Sequence, residues 1–338
     1  MQVTIRFLPA AIAAGLVFSA AAQDVQLSEG WDFVPGEQLL LFDDFTDMPK
    51  GAAPPHWAVR KSAAKLTANG RLLLPQSGQL WPNVKTWPNN FTIEQDIALE
   101  KPGEPGERDF YWIFGNAEEE RTWRIVARCE DDPGICRFQL ESEDSTLGRG
   151  EAKYTIGKPG AFALWVQDGR IRVYFNRERL IDVNQVSVKK WSTAWIETVN
   201  DDAPISFGNF RIAESAPDFS KTIFASGRFV THGIQFDVNS DRLRPESEPV
   251  LKMIADALCA EAALKLRIEG HTDSSGDAAK NLDLSKRRAE SVKATLVKQF
   301  SIAGDRLTAD GLGQTKPLAD NATPNGRAQN RRVEFVKL

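Results

Sequence analysis

The pattern of hydrophobic and polar positions changes once along the chain, near residue 229. From residue 31 to about 213, apolar residues occur in short runs that are interrupted by Gly, Pro, Asn and Asp. Runs of this kind predict β-strands, and no helical period persists over three turns. We therefore expect an all-β sandwich of the jelly-roll type over residues 31–213. The clearest predicted strands are residues 39–45, 71–74, 91–99, 111–114, 161–166 and 170–175.

Beyond residue 229, strand-like and helix-like segments alternate. This order predicts an α+β domain with βαβαββ topology over residues 229–338, in which two helices cover one sheet. The predicted helices span residues 245–260 and about 278–300, and the predicted strands span residues 229–236, 264–268, 307–312 and 333–338. Residues 214–228 carry Ser, Pro and Gly with little periodicity, so we expect a linker there.

The first 22 residues have the composition of a secretory signal peptide. Arg6 precedes an apolar stretch at residues 7–18, and small residues stand at 19–22, before Gln23. A membrane anchor is the alternative, but it would need about 20 apolar residues. We expect residues 1–22 to be removed on export and the mature protein to be periplasmic. No cysteine stands at the predicted cleavage point, so lipoprotein processing is not expected.

Composition narrows the classes of partner. The 42 Lys and Arg residues against 46 Asp and Glu residues give a net charge of -4, which makes a generic cationic nucleic-acid binder improbable. All nine Trp residues lie at or before Trp195. We expect them to fill the core of the β domain and to line its concave face.

The cysteines fit an oxidising compartment. Cys129 and Cys136 flank a turn-rich stretch between two strand-like runs, and we favour a disulfide between them over two free thiols. Cys259 lies in an apolar helical pattern and is expected to be buried. We expect no metal site and no cofactor, because no close cysteine pair accompanies the three scattered histidines, His56, His232 and His271.

The β domain resembles the concanavalin A-like and laminin-G-like jelly rolls of secreted bacterial proteins. The similarity rests on LFDDF at residues 41–45, FTIEQD at 91–96, IRVYFN at 171–176 and ISFGNFRI at 205–212. Such folds often hold glycans, so the resemblance implies that this domain recognises a glycan or an outer-membrane partner.

Two other functions remain open for the β domain. We expect Glu94, Asp96 and Glu100 to share one face of a strand, and a retaining glycosidase would need two carboxylates about 5–5.5 Å apart. The glucanases of this fold space their acidic residues differently from Asp96 and Glu100, which counts against an enzyme, and we predict no catalytic residues. The second alternative is an outer-membrane β-barrel with a periplasmic C-terminal domain.

Three blocks in the C-terminal domain are more specific. They are GHTDSSG at residues 270–276, NLDLSKRRA at 281–289 and NGRAQNRRVE at 325–334. In this order they are similar to the OmpA-like peptidoglycan-binding domain of porin-type proteins, peptidoglycan-associated lipoprotein and flagellar stator proteins. The resemblance covers about residues 229–338.

The resemblance also implies a binding site. Meso-diaminopimelate in the stem peptide ends in an ammonium and a carboxylate on one carbon, and Asp273 and Arg288 match the family residues that bind this zwitterion. Asn281 is expected to add a polar contact, Phe236 and Asp237 to border the groove, and Arg331 to lie at its rim. Asp273 and Arg288 could instead pair only with each other, and Asn281 could instead cap the second helix.

Together these observations predict a non-enzymatic protein that binds peptidoglycan through its C-terminal domain. It would lie in the periplasm, bound to the cell wall and associated with the outer membrane. An envelope glycosidase carrying a cell-wall-binding module is the competing hypothesis.

Overall fold

A computed structural model describes residues 30–49, 51–100, 108–116, 120–130, 134–184, 186, 191–199, 204–214 and 218–338. The predicted signal peptide lies outside the described residues. No helix in the described ranges is long and apolar enough to cross a membrane.

The N-terminal domain is a sandwich of two sheets, which confirms the fold class expected from its pattern. The first sheet has the order β13-β12-β11-β6-β15-β4-β3, with β1 also paired to β15, and the second has the order β10-β9-β8-β7-β14-β5-β2. The pairs within both sheets are antiparallel. The strands are β1 (Gln38–Asp43), β2 (Trp57–Arg60), β3 (Lys65–Leu66), β4 (Leu72–Leu74), β5 (Gly78–Pro82), β6 (Phe91–Leu99), β7 (Arg108–Gly115), β8 (Arg121–Glu130), β9 (Ile135–Ser142), β10 (Thr146–Lys153), β11 (Gly160–Gln167), β12 (Arg170–Phe175), β13 (Glu178–Val183), β14 (Thr193–Val199) and β15 (Ile205–Glu214).

Aromatic side chains fill the space between the two sheets. Trp112 and Trp123 point inward from the second sheet, where Trp123 stacks on Phe114 with ring centroids 3.7 Å apart. Trp81 and Trp195 belong to a separate cluster and stack on each other at 4.4 Å. Because side chains alternate between the faces of a strand, these two sets mark opposite faces of the second sheet.

Cysteine placement differs between the two domains. A disulfide joins Cys129 at the end of β8 to Cys136 at the start of β9, with their Cα atoms 4.0 Å apart. Cys259 is exposed. The expectation of a buried thiol was wrong, because Cys259 lies one position beyond the buried stripe that ends at Leu258.

The C-terminal domain has a four-stranded sheet in the order β16-β19-β17-β18, in which β17 and β18 are parallel. Its core consists of the apolar sheet face and the helices that cover it. The strands are β16 (Arg228–Thr231), β17 (Leu266–His271), β18 (Leu307–Gly313) and β19 (Val333–Lys337), and the helices are α1 (Phe219–Ser226), α2 (Glu248–Ala260), α3 (Ala278–Lys298) and α4 (Pro324–Asn330).

Two helices lie outside the predicted pattern. α1 lies inside the segment expected as a linker, and its Phe219 and Ile223 are buried in the C-terminal core. Asp218 caps this helix by accepting a hydrogen bond from the Lys221 amide. α4 is a short helix that begins with Pro324 after the capping residue Thr323. The C-terminal domain is therefore larger than the pattern indicates.

A partly buried acid joins the two domains. The Glu37 carboxylate, just before β1, accepts hydrogen bonds from the Thr231 hydroxyl at 2.6 Å and from the His232 amide at 2.8 Å. Its Oε2 also lies 3.1 Å from Nδ1 of His232, whose Nε2 lies 3.1 Å from the Gln329 carbonyl. These contacts position the start of the sandwich against the end of β16.

Candidate functional site

Helix α3 approaches the sheet closely because glycines stand where it crosses β17 and β18. A Cβ atom added to Gly270 would lie 2.2 Å from the carbonyl oxygen of Ser285, and one added to Gly311 would lie 2.4 Å from the Lys286 nitrogen. The helix residues on this side are buried at i, i+4 and i+8, namely Asn281, Ser285 and Ala289. This packing fixes the position of Arg288 above the ends of the strands.

Arg288 is held by the loop that follows β16. Its Nε donates to the Ser240 carbonyl at 2.9 Å, its Nη2 lies 3.4 Å from the Asp237 carbonyl, and its guanidinium lies 4.9 Å from the ring centroid of Phe236. Burial lowers the pKa of Arg288, and the neighbouring Arg287 adds to this effect. The ordinary pKa of arginine is so high that Arg288 still carries its charge at neutral pH. A fixed cation therefore lies on the surface of this loop.

Asp273 follows β17 and pairs with Arg331 rather than with Arg288. Nη1 of Arg331 donates to Oδ2 of Asp273 at 2.8 Å, and the Ser275 amide donates to Oδ1 at 3.0 Å. Partial burial acts to raise the pKa of Asp273, but these hydrogen bonds outweigh it and leave that pKa below its ordinary value. The Arg331 guanidinium also lies 5.5 Å from the Phe42 ring centroid on β1. The β domain therefore contacts the site directly.

Asn281 supports the loop that carries Asp273. Its amide nitrogen lies within hydrogen-bond distance of the Asp273 carbonyl at 3.2 Å, the Ser275 carbonyl at 3.0 Å and Oε1 of Gln314 at 2.9 Å. The capping residue of α3 is Asp277, which accepts from the Lys280 amide. The cap expected as an alternative role for Asn281 is thus supplied by another residue.

The remaining predicted positions lie on the loop after β16. The Asp237 carboxylate lies 3.7 Å from the Arg242 guanidinium, and its backbone carbonyl faces Arg288. Val238, next in the chain, is 90% exposed. Sequence reasoning missed Val238, the Ser240 carbonyl and Phe42. A backbone acceptor leaves no side-chain signature, and Phe42 lies in a different domain.

A cleft of about 500 Å³ lies between the C-terminal domain and the sandwich. One wall belongs to the C-terminal domain, and the other is the outer face of β6, β11 and β15 in the first sheet. Residues on the C-terminal wall include Phe236, Val238, Arg288 and Arg331, and residues on the opposite wall include Glu94, Asp96, Ala161, Asn209 and Arg211. Asp273 connects to this cleft through Arg331.

The acidic residues considered for glycosidase chemistry each have a bonding partner. Burial raises the pKa of Glu94, and Arg211 opposes that effect. A general acid or a nucleophile needs its carboxylate available to the substrate. The pairs are Glu94 with Arg211 at 2.8 Å, Asp96 with Asn209 at 2.5 Å, and Glu100 with Ser206.

A buried network of charges lies on the sheet beside the site. The carboxylates of Glu269 and Glu334 and the ring of His271 lie within 4.8 Å of one another, as metal ligands could. Arginines already bind these carboxylates, since Nη2 of Arg332 lies 2.6 Å from Oε1 of Glu334 and Arg228 contacts both acids. The network therefore balances buried charge within the sheet.

Acidification is expected to destabilise the C-terminal domain through His271. Burial lowers the pKa of His271 to about 3, whereas an unfolded histidine titrates near 6.5. Between these two values the unfolded chain binds a proton that the folded domain does not, so acidification favours unfolding. Lowering the pH from 7 to 5 should reduce the free energy of unfolding of this domain by about 2 kcal/mol. Urea unfolding followed by circular dichroism at 222 nm measures this, since the described helices all lie beyond residue 217.

The control for this prediction is His271→Gln, which removes the titrating ring but keeps a polar side chain of similar length. The variant should show a smaller loss of stability between pH 7 and 5. Equal losses in both proteins would contradict the assignment of the pH dependence to His271.

The site can bind a small group that carries both charges. Arg288 and Arg331 offer guanidinium donors, which suit a carboxylate through parallel hydrogen bonds. Asp273 offers the opposite charge, and its partner Arg331 is 39% exposed.

Comparisons with known proteins find similarity over the C-terminal domain. Residues 235–331 match the model of the OmpA family. The outer-membrane lipoprotein YfiB of Pseudomonas aeruginosa is 46% identical over 103 residues, which cover 30% of this chain and 61% of that protein. The peptidoglycan-binding protein ArfA of Mycobacterium bovis is 43% identical over 108 residues, which cover 32% of this chain and 33% of that protein.

The chain spans less than two thirds of the length of these curated relatives. For the sandwich, a solved structure of the carbohydrate-binding module CBM66 from Bacillus subtilis covers 47% of this chain and 96% of its own, at 14% identity and a TM-score of 0.37.

Proposed function

We propose that residues 235–331, which belong to the OmpA family, bind peptidoglycan non-covalently through the free end of meso-diaminopimelate in the stem peptide. The observation that carries this proposal is the placement of Arg288. Two backbone carbonyls and the Phe236 ring hold its guanidinium beside the Asp273–Arg331 pair. The relative named as a peptidoglycan-binding protein, ArfA, supports the same ligand class.

In this proposal each charge of the ligand has its own partner. The ligand carboxylate binds Arg288, and the ligand ammonium binds Asp273 in place of one Arg331 contact. Arg331 then lies beside the ligand carboxylate as a second cation. Asn281 acts as a positioning residue, because it holds the backbone of the Asp273 loop. Phe236 and Asp237 border the groove.

The proposal extends to location and to the β domain. An exported chain whose relatives are named as outer-membrane and peptidoglycan-binding proteins would lie in the periplasm, bound to the wall and associated with the outer membrane. The sandwich would recognise a glycan or an envelope partner. The carboxylates of Glu94 and Glu100 are each engaged by a neighbour, which supports binding rather than catalysis.

Sedimentation with purified sacculi tests this function. The full chain should co-sediment with diaminopimelate-type sacculi, and an excess of free meso-diaminopimelate should release it. Nα-acetyl-L-lysinamide is the matched competitor because it has the side-chain ammonium but no free carboxylate, like lysine within a stem peptide, so it should release much less protein. Lys-type sacculi should also retain less protein. Equal retention on both wall types, or equal release by both competitors, would contradict the proposal.

A further inference from the structure

The wall of the cleft that faces Arg288 and Arg331 belongs to the sandwich, and its chemistry differs from that of the C-terminal wall. On this wall, Nδ2 of Asn209 donates to Oδ2 of Asp96 at 2.5 Å. Asn209 has a left-handed backbone with φ of 50° and stands in a bulge of β15 between Gly208 and Arg211. A bulge re-aims a side chain, and here it brings a carboxamide next to a carboxylate.

The sheet beside this pair is open because a small residue stands there. Ala161 on β11 lies directly opposite Asp96 and is exposed. The volume of about 500 Å³ falls in the range of roughly 300–1,000 Å³ that is typical of small-molecule sites. The cleft thus has room for more of a ligand than its charged end.

Contacts between the domains fix the positions of the two walls relative to each other. The Glu37 carboxylate accepts hydrogen bonds from the Thr231 hydroxyl and the His232 amide. The Arg331 guanidinium lies 5.5 Å from the ring centroid of Phe42 on β1. A ligand that bound the C-terminal wall would therefore meet the sandwich wall at a fixed distance.

We infer that the two domains form one composite site, in which Asp96 and Asn209 bind an amino sugar of the same peptidoglycan strand whose stem peptide is held at Arg288. This inference rests on the proposed function. The pair offers acceptors and an amide donor, which suit the hydroxyl and acetamido groups of a neutral sugar. The cation on this wall, Arg211, is paired with Glu94 and with the Gly36 carbonyl. Because Arg211 is already paired, this wall suits a neutral sugar better than the anionic groups of the stem peptide.

The experiment compares two soluble probes on the full chain by calorimetry. One probe is the tripeptide L-Ala-γ-D-Glu-meso-diaminopimelate, and the other is the same tripeptide carrying its amino-sugar disaccharide. We expect the disaccharide form to bind about 10-fold more tightly, as one or two good polar contacts would provide. Equal affinity of the wild type for both probes would overturn the inference and leave the proposed function intact.

Variants on the sandwich wall locate the extra affinity. Ala161→Trp fills the open face beside Asp96, and Asp96→Asn removes the carboxylate; both should bind the disaccharide probe only as well as the bare tripeptide. The matched controls are Ala58→Trp, at an exposed alanine of the second sheet, and Asp168→Asn, in the Asn90–Asp168 pair outside the cleft. Controls that lose as much affinity as the wall variants would overturn the inference. Failure of both probes to bind the wild type would overturn the proposed function as well.

Discussion

Arg288→Ala should lose most of its retention on diaminopimelate-type sacculi, whereas Arg287→Ala should be retained like the wild type. Removing one partner of a desolvated charge pair costs about 2–5 kcal/mol, so a loss of affinity near 100-fold is expected. The substitution removes the cation that the Ser240 carbonyl and the Phe236 ring hold in place. Co-sedimentation across a range of sacculus concentrations measures the change.

Arg287 makes a matched control because it is the adjacent residue with the same charge. Its guanidinium pairs with Asp283 on α3 and with Asp241, the residue after Ser240, each at 2.9 Å. Arg288→Lys should fall between the two, since an ammonium cannot bind a carboxylate through two parallel bonds. If both alanine variants lost retention equally, attraction by general positive charge would replace the proposed site.

The sequence located the residues of this site through motif and not through periodicity. The three blocks indicated Asp273, Arg288, Asn281 and Arg331 in advance, and the structure brings them to neighbouring loops and one helix. Which of these side chains pair with each other could not be predicted from the sequence. Asp273 pairs with Arg331 because α4 returns the chain to the end of β17, and that short helix has no pattern strong enough to predict its path.

The predicted strands show where local pattern is sufficient. β6 and β12 match their predicted bounds of 91–99 and 170–175, because turn-forming residues stand on both sides of each run. α1 shows where it is insufficient. Its segment has the Ser, Pro and Gly content of a linker, and its two buried residues, Phe219 and Ile223, become informative only once the sheet they pack on is known.

The cleft between the domains is a property of the tertiary structure alone. Arg331 and Phe42 are separated by most of the chain, and neither residue type signals the other. Asp96 and Asn209 lie on β6 and β15, which pair only in the folded sheet. The sequence therefore indicated a two-domain protein with one site, while the shared cleft depends on how Glu37 seats one domain on the other.

Gly270→Ala should destabilise the C-terminal domain by about 3 kcal/mol, at the upper end of what overpacking usually costs. The added methyl would lie 2.2 Å from the Ser285 carbonyl oxygen, and that atom is helix backbone with no rotamer to change. α3 would have to lift from β17, and it would carry Arg288 with it. Binding to sacculi should therefore fall together with stability, as measured by urea unfolding at 222 nm and by co-sedimentation.

Gly304→Ala is the matched control, because both changes add one methyl group to a glycine of the same domain. At Gly304 the new Cβ would meet only Cγ2 of Val297 at 3.7 Å, which is ordinary contact. Its effect on stability should be within about 1 kcal/mol, since the change mainly restricts the unfolded chain. A stable Gly270→Ala variant with wild-type binding would contradict the prediction that α3 must lift from β17 and carry Arg288 with it.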